Sequence, residues 1–121
     1  MSQYFIYHNP RCSKSRQTLA LLQENQIETE QILYLENPPT VDTLSDLCEA
    51  LGITPRQLLR KGETEYRELS LGNETLGDTE VLKAMQQHPR LIERPIVVRR
   101  DGKKVRAVLG RPPENVIDLI K

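Results

Sequence analysis

The chain predicts an α/β fold in which a βαβ unit and a ββα unit form one four-stranded mixed sheet. Short apolar runs typical of strands occur near both ends of the 121-residue sequence, and residues 40–88 contain none. That middle stretch has helical periodicity instead. Because a chain of this length supports one core, we expect a single domain of residues 1–121 with a helical insertion at about residues 40–90.

The first 35 residues predict the βαβ unit. Residues 4–7 and 30–35 are apolar runs that indicate strands, and residues 16–26 indicate a helix with Leu19 and Leu22 on one face. Two strands joined by a helical crossover are expected to be parallel and adjacent in the sheet.

The second helix is predicted over residues 41–51, with Thr40 as its N-cap. Its apolar stripe has the spacing i, i+3, i+4 and i+7. The stripe consists of Leu44, Leu47, Cys48 and Leu51. Cys48 is therefore predicted to be a core residue and not a second redox-active thiol.

Two further helices are predicted before the chain returns to strands. Pro55 opens a short helix that ends at about Arg60-Lys61, and we interpret Arg60 as its C-terminal cap. Asp78 is predicted to cap a helix that ends at about residue 87. Residues 62–77 between them are polar and give no clear prediction.

The last third predicts the ββα unit. Residues 95–99 form a strong β run, Asp101-Gly102 is a hairpin signal, and residues 105–109 pair back antiparallel. A final helix follows the turn at residues 110–114. Its predicted buried residues are Val116, Ile117, Leu119 and Ile120. The order of βαβ, helices and ββα is that of a thioredoxin-like fold.

Composition excludes several functional classes. The chain has 17 basic and 17 acidic side chains, so no net charge attracts nucleic acid or a membrane surface. No segment approaches the ~20 apolar residues of a membrane span, and the N-terminus lacks the pattern of a signal peptide. Two cysteines suit a reducing compartment better than a disulfide framework. We expect a cytoplasmic protein without a bound metal or cofactor.

The stretch from His8 to Arg16 predicts a nucleophile, Cys12, at the start of a helix. A cysteine with a pKa of about 8.5 is only ~3% thiolate at pH 7. The free amides of a helix N-terminus and neighbouring cations lower that pKa, and the same amides can hold an oxyanion. The neighbouring cations are Arg11, Lys14 and Arg16. An unreactive cysteine would more often be a small buried hydrophobe, which fits poorly with these polar neighbours.

The spacing around Cys12 excludes two other thiol chemistries. A thioredoxin-type enzyme has a second cysteine three positions later, where this chain has Ser15. A phosphatase loop would place an arginine six positions after the cysteine, where this chain has Thr18. The sequence therefore predicts monothiol chemistry.

Two arginines are candidates for binding an oxyanion. Arg94 immediately precedes the proline that starts the third strand, and Arg111 lies in a constrained Gly-Arg-Pro-Pro-Glu turn. The planar guanidinium donates two parallel hydrogen bonds to two oxygens of a tetrahedral anion. Most other arginines of the chain are expected to be solvated surface residues.

Four segments together resemble the glutaredoxin-dependent arsenate reductase family, and most closely its short genomic branch. The resemblance extends from about residue 6 to residue 120. The segments are Tyr7-His8-Asn9-Pro10-Arg11-Cys12-Ser13-Lys14-Ser15-Arg16, Leu58-Leu59-Arg60, Glu93-Arg94-Pro95-Ile96 and Gly110-Arg111-Pro112-Pro113-Glu114.

The resemblance implies an activity and a site. It implies that Cys12 attacks arsenate while His8 and Ser15 tune the thiolate, and that Pro95 is the cis-proline of the fold. The implied ligands of the oxyanion are Arg60, Arg94 and Arg111. The implied partners are glutathione as co-substrate and a glutaredoxin as reductant.

Two other functions remain open at the sequence level. One is a binding module similar to the RNA-polymerase-binding stress regulators of related fold, although those use a Cys-x-x-Cys pair that Ser15 interrupts here. The other is a glutathione-linked oxidoreductase that acts on a different substrate.

Overall fold

The computed structural model describes residues 2–121. The chain divides into two compact units: residues up to 37 together with residues 94–121, and residues 38–93. The helices are α1 Ser13–Glu24, α2 Val41–Leu51, α3 Pro55–Leu58, α4 Thr64–Glu68, α5 Asp78–Gln87 and α6 Asn115–Ile120. The strands are β1 Ser2–Tyr7, β2 Thr29–Ile32, β3 Ile96–Asp101 and β4 Lys104–Leu109.

The first unit contains the predicted mixed sheet. Its strand order is β2-β1-β3-β4. Strands β1 and β2 are parallel, whereas β1 pairs with β3 and β3 pairs with β4 in antiparallel register. The βαβ and ββα units are therefore confirmed, and so is the predicted α/β class.

Apolar side chains from the sheet and from α1 and α6 form the core of this unit. Leu19 and Ile120 pack against that core, as the helical spacing predicts. The buried core residues are Ile6, Leu22, Val97, Val116 and Leu119. Ile117 and Ile120, both predicted to be buried, are only half-buried.

Several predicted boundaries in the first unit are wrong. Strand β1 begins at Ser2 and not at residue 4. Helix α1 begins at Ser13, three residues before the prediction, and ends at Glu24 because Gln26 adopts a left-handed φ of 61°. Strand β2 ends at Ile32 and not at residue 35. The amides of Glu36 and Asn37 both donate to the carbonyl of Leu33, which turns the chain out of the sheet.

The second unit is helical. Helix α2 has the predicted cap, since the Thr40 side chain accepts from the amide of Thr43 at 3.1 Å. Cys48 is buried on the apolar stripe, as predicted. Helix α5 begins at Asp78, but the predicted Asp78 cap is wrong. The capping position is Gly77, whose amide donates to the Glu80 carboxylate at 3.1 Å.

Helix α3 ends earlier than predicted, which changes the setting of Arg60. The helix stops at Leu58, and Leu59 is extended and forms an isolated antiparallel bridge with Ile92. The amide of Arg60 then donates to the carbonyl of Leu91 at 2.7 Å. The interpretation of Arg60 as a helical C-terminal cap is therefore wrong.

The stretch without a clear prediction contains α4 and a loop. The Arg56 guanidinium donates to three carbonyls of that loop, those of Leu71, Asn73 and Leu76, at 2.8 to 3.2 Å. A single, partly exposed network of cation-to-carbonyl hydrogen bonds therefore orders a segment that has few apolar residues of its own.

Candidate active site

The loop between β1 and α1 is a tight turn tied to the sheet. The amide of His8 donates to the carbonyl of Ile32 at 2.9 Å, and the amide of Cys12 donates to the carbonyl of Asn9 at 2.9 Å. Cys12 occupies the N-cap position of α1 in extended conformation. The first free amides of the helix therefore follow its side chain directly.

Opposing influences act on the Cys12 thiol. Burial raises its pKa and is the largest single influence. The amide of Ser15, the Arg94 guanidinium through hydrogen bonding and charge, and the amide of Lys14 all lower it. Together they outweigh burial, so the pKa of Cys12 lies below its ordinary value, as the sequence predicts. Lys14 acts here through its backbone, whereas the cation acting on the sulfur is Arg94.

Ser15 connects the nucleophile loop to His8. Its hydroxyl oxygen accepts from the amide of Asn9 at 3.0 Å and lies 2.7 Å from Nδ1 of His8. In this pair either atom can donate, according to the tautomer of His8. Burial, and secondly the charge of Arg16, lower the pKa of His8. The contact with Ser15 thus holds the His8 ring beside the nucleophile loop.

Arg94 and Arg111 lie together in the first unit. The Arg111 side chain donates from Nη1 to the carbonyl of Arg94 at 3.2 Å, so the second arginine is held by the backbone of the first. The Nε of Arg94 is buried and has no hydrogen-bond partner within residues 2–121. Because the Arg94 guanidinium also acts on the Cys12 sulfur, an anion that it binds would lie beside the nucleophile.

Arg60 belongs to the second unit. Its Nε lies 3.5 Å from a carboxylate oxygen of Glu93, and its Nη1 is buried without a partner in the described part of the chain. The role of Arg60 in binding an oxyanion stays a prediction.

Pro95 is preceded by a cis peptide bond, as the family resemblance implies; Arg111–Pro112 is also cis. The carbonyl of Pro95 accepts from the amide of Gly110 at 2.9 Å, which connects the residue after Arg94 to the residue before Arg111. The two arginine-bearing segments are therefore joined by their backbones.

Thr18 and Gly110 are structural residues of the site that sequence reasoning missed. Thr18 is buried on α1 and donates to the carbonyls of Lys14 and Gly110, at 2.7 and 3.2 Å. A Cβ on Gly110 would lie 2.5 Å from Oγ1 of Thr18 and 2.8 Å from Cγ of Pro95. The only sequence signal was Thr18 itself, a polar residue on the apolar side of a helix.

Two further findings concern other classes of site. Within residues 2–121, no three His, Cys, Asp or Glu side chains are gathered in an arrangement that could hold a metal ion. Over the same residues, no helix has both the length and the apolar content needed to cross a bilayer.

The effect of Arg94 on Cys12 can be measured by alkylation. We expect the pH midpoint of iodoacetamide labelling at Cys12 to lie below that of free cysteine, and Arg94→Gln to raise it, because the variant loses a cation that favours the thiolate. Mass spectrometry locates the label, and Arg106→Gln on β4 is the matched control. A midpoint that Arg94→Gln leaves unchanged would contradict the assignment.

The close contact at Gly110 predicts a loss of stability on substitution. Gly110→Ala should lower the free energy of unfolding by ~1–3 kcal/mol, because the new methyl group overlaps Thr18 and Pro95. Gly62→Ala is the control, since a Cβ there has no described residue within 4 Å. Urea unfolding compares the two. Equal free energies of unfolding for the two variants would show that Thr18 and Pro95 can move to accommodate the methyl group without loss of stability.

The chain also has close relatives among known proteins. The sequence model of the ArsC family matches residues 7–119. The chain is 50% identical over 119 residues to the uncharacterized protein YfgD of Escherichia coli K12, covering 98% of this chain and 97% of that protein. It is 46% identical over 120 residues to an Escherichia coli protein named arsenate reductase, covering 99% of this chain and 82% of the relative.

A solved structure agrees with these sequence matches. The structure described as arsenate reductase from Vibrio cholerae superimposes with a TM-score of 0.90 at 48% identity, covering 96% of each chain. The match extends over nearly all of both chains, so it includes both units and the nucleophile loop. The chain belongs to the ArsC family and has its thioredoxin-like fold.

Proposed function

We propose that the protein is an arsenate reductase in which the Cys12 thiolate attacks the arsenic atom. The observation that carries the proposal is Cys12 at the N-terminus of α1, with a lowered pKa and Arg94 acting on its sulfur. A thiolate is the reactive form of cysteine, and a cation beside it also attracts an anionic substrate. Relatives 44–46% identical that are named arsenate reductases support the choice of substrate.

The arginines would stabilise charge on the substrate oxygens. The buried Nε of Arg94 has no hydrogen-bond partner among residues 2–121, and Arg111 is held against the Arg94 carbonyl. Attack of the thiolate on arsenate displaces water and leaves a Cys12–sulfur–arsenic(V) adduct. Guanidinium groups positioned before the reaction favour the charge that develops on the oxygens. The family resemblance adds Arg60 as a ligand of the oxyanion, and its buried Nη1 has no hydrogen-bond partner within residues 2–121.

The electrons must come from thiols outside the chain. Cys48 is unsuited as a second thiol, because burial and secondly the charge of Asp78 raise its pKa. We therefore propose that glutathione attacks the adduct and that a glutaredoxin resolves the glutathionylated intermediate. Overall, arsenate and two thiols give arsenite, one disulfide and one water. Because this reaction needs a reducing compartment, we propose that it takes place in the cytoplasm.

A coupled assay tests the proposal. The protein with glutathione, glutaredoxin, glutathione reductase and NADPH should oxidise NADPH in proportion to added arsenate, and arsenite should accumulate. Omission of either glutathione or glutaredoxin should stop turnover. NADPH oxidation that is independent of arsenate would indicate an oxidoreductase with another substrate, and no oxidation at all would refute the enzyme.

The two cysteines are predicted to differ in this assay. Cys12→Ser should abolish arsenate reduction because it removes the nucleophile. Cys48→Ser should leave most of the activity, since Cys48 is a packing residue of α2. A folded Cys48→Ser protein without turnover would favour a protein disulfide over the monothiol scheme; circular dichroism checks that each variant is folded.

The arginines are predicted to act by geometry as well as charge. Arg94→Lys and Arg111→Lys should each lower kcat/KM by ~30- to 1000-fold, nearly as much as alanine, because lysine keeps the charge but loses the planar pair of donors. Arg106→Lys is the control on the β3–β4 hairpin. Full turnover by both variants would argue against an oxyanion site at these residues.

A further inference from the structure

A cleft of about 250 Å³ lies beside the loop that contains the nucleophile. One wall consists of residues His8, Asn9, Pro10 and Arg11. The other consists of Leu33, Leu35 and Glu36, which follow β2. None of the cleft's side chains takes part in the proposed attack on arsenate except His8, whose Nδ1 faces Ser15.

Both walls of the cleft are held in place by backbone hydrogen bonds. The amide of His8 donates to Ile32 at the end of β2, which joins the two walls at their base. The Cys12 amide closes the first wall onto Asn9, and two amides close the second wall onto the carbonyl of Leu33. A cleft with fixed walls loses little conformational entropy when a ligand binds.

The lining of the cleft combines apolar side chains with two opposite charges. Leu35 is 39% exposed, one of three large apolar side chains with such exposure in the described chain. It lies in the cleft with Leu33 and Pro10. The Arg11 and Glu36 side chains are exposed and form no ion pair within residues 2–121. The cleft thus offers a cation and an anion that are both available to a ligand.

We propose that this cleft binds the glutathione that reacts at Cys12, an inference that rests on the proposed function. Glutathione is a short peptide with carboxylates at both ends and one ammonium group, so it matches a free arginine and a free carboxylate. Arg11 receives a carboxylate through its planar pair of donors, and Glu36 receives the ammonium group. The methylene groups of the peptide pack on Leu33 and Leu35.

Position and size both fit this occupant. Arg11 directly precedes Cys12, and consecutive Cα atoms are ~3.8 Å apart, so the cleft adjoins the residue that carries the nucleophile. The volume is just below the ~300–1,000 Å³ of enclosed ligand pockets, which leaves a tripeptide partly exposed. Partial exposure is required if glutaredoxin is to reach the glutathionylated intermediate.

Binding can be tested without turnover, using S-methylglutathione, which has no free thiol. Titrated into the ¹⁵N-labelled protein, it should shift the amides of residues 8–12 and 33–36. Arg11→Gln and Leu35→Ala should each weaken binding about tenfold, as loss of one charged or apolar contact does. Lys104→Gln and Val105→Ala are matched controls, because both residues are exposed on β4, at the opposite edge of the sheet.

The outcomes separate this inference from the proposed function. Binding at these residues by a protein that does not reduce arsenate would support the cleft and refute the reductase. Glutathione-dependent arsenate reduction together with shifts confined to other residues would refute the cleft and keep the reductase. If inorganic phosphate shifted the same amides and displaced S-methylglutathione, the cleft would be the oxyanion site and the inference would be wrong.

In the active enzyme, the same variants should change one kinetic constant selectively. Leu35→Ala should raise the KM for glutathione about tenfold and leave the KM for arsenate unchanged. A parallel rise in both KM values would show that Leu35 affects the nucleophile loop as a whole. That result would contradict the inference that glutathione binds in a cleft separate from the arsenate site.

Discussion

The stabilisation of one anion, the Cys12 thiolate, is the constraint on which the rest of the site depends. Burial of the thiol opposes ionisation, and it is the largest single influence on that group. The helix amides and Arg94 overcome it only because the loop puts Cys12 at the N-cap and because Arg94 comes from a distant part of the chain. If α1 began one residue earlier or later, Cys12 would no longer be its N-cap residue, and the helix amides would no longer lower the pKa of the thiol.

The backbone around Arg94 and Arg111 also helps to stabilise the Cys12 thiolate, because it holds these arginines close to α1. Gly110 lies so close to Thr18 and Pro95 that α1 and the two arginine-bearing segments form one packed assembly. Because Thr18 lies one turn beyond Lys14 on the helix that begins at Cys12, the contact also fixes that helix against the arginines. Protein interiors packed this closely transmit small displacements, so a distortion at Gly110 would reach the sulfur.

Local signals were sufficient to predict much of this architecture. Alternation, helical periodicity and turn residues predicted the parallel β1–β2 pair and the antiparallel β3–β4 hairpin, and the helix start after the β1 turn predicted the nucleophile. The pairing of β1 with β3 joins distant segments and was not predicted by local signals. Boundaries failed where tertiary contacts decide them. Leu59 leaves α3 to pair with Ile92, and the Leu33 carbonyl ends β2, neither of which a local pattern encodes.

The site was predictable only in part for the same reason. Arg94 and Arg111 were found from their constrained neighbours, whereas the backbone contact that holds Arg111 to Arg94 depends on the folded chain. Thr18 and Gly110 were missed because they matter through their contact with each other, and the two residues are 92 positions apart in the chain. Arg60 came from family resemblance, since its surroundings in sequence suggest only a helix end.

A single-turnover experiment tests the central claim most directly. The protein is mixed with arsenate and glutathione without glutaredoxin, quenched with acid and mapped by mass spectrometry. The account predicts glutathione attached at Cys12, directly or through arsenic, only when arsenate is present, and an unmodified Cys48. Absence of arsenate-dependent modification at Cys12, or its appearance at Cys48, would contradict the account.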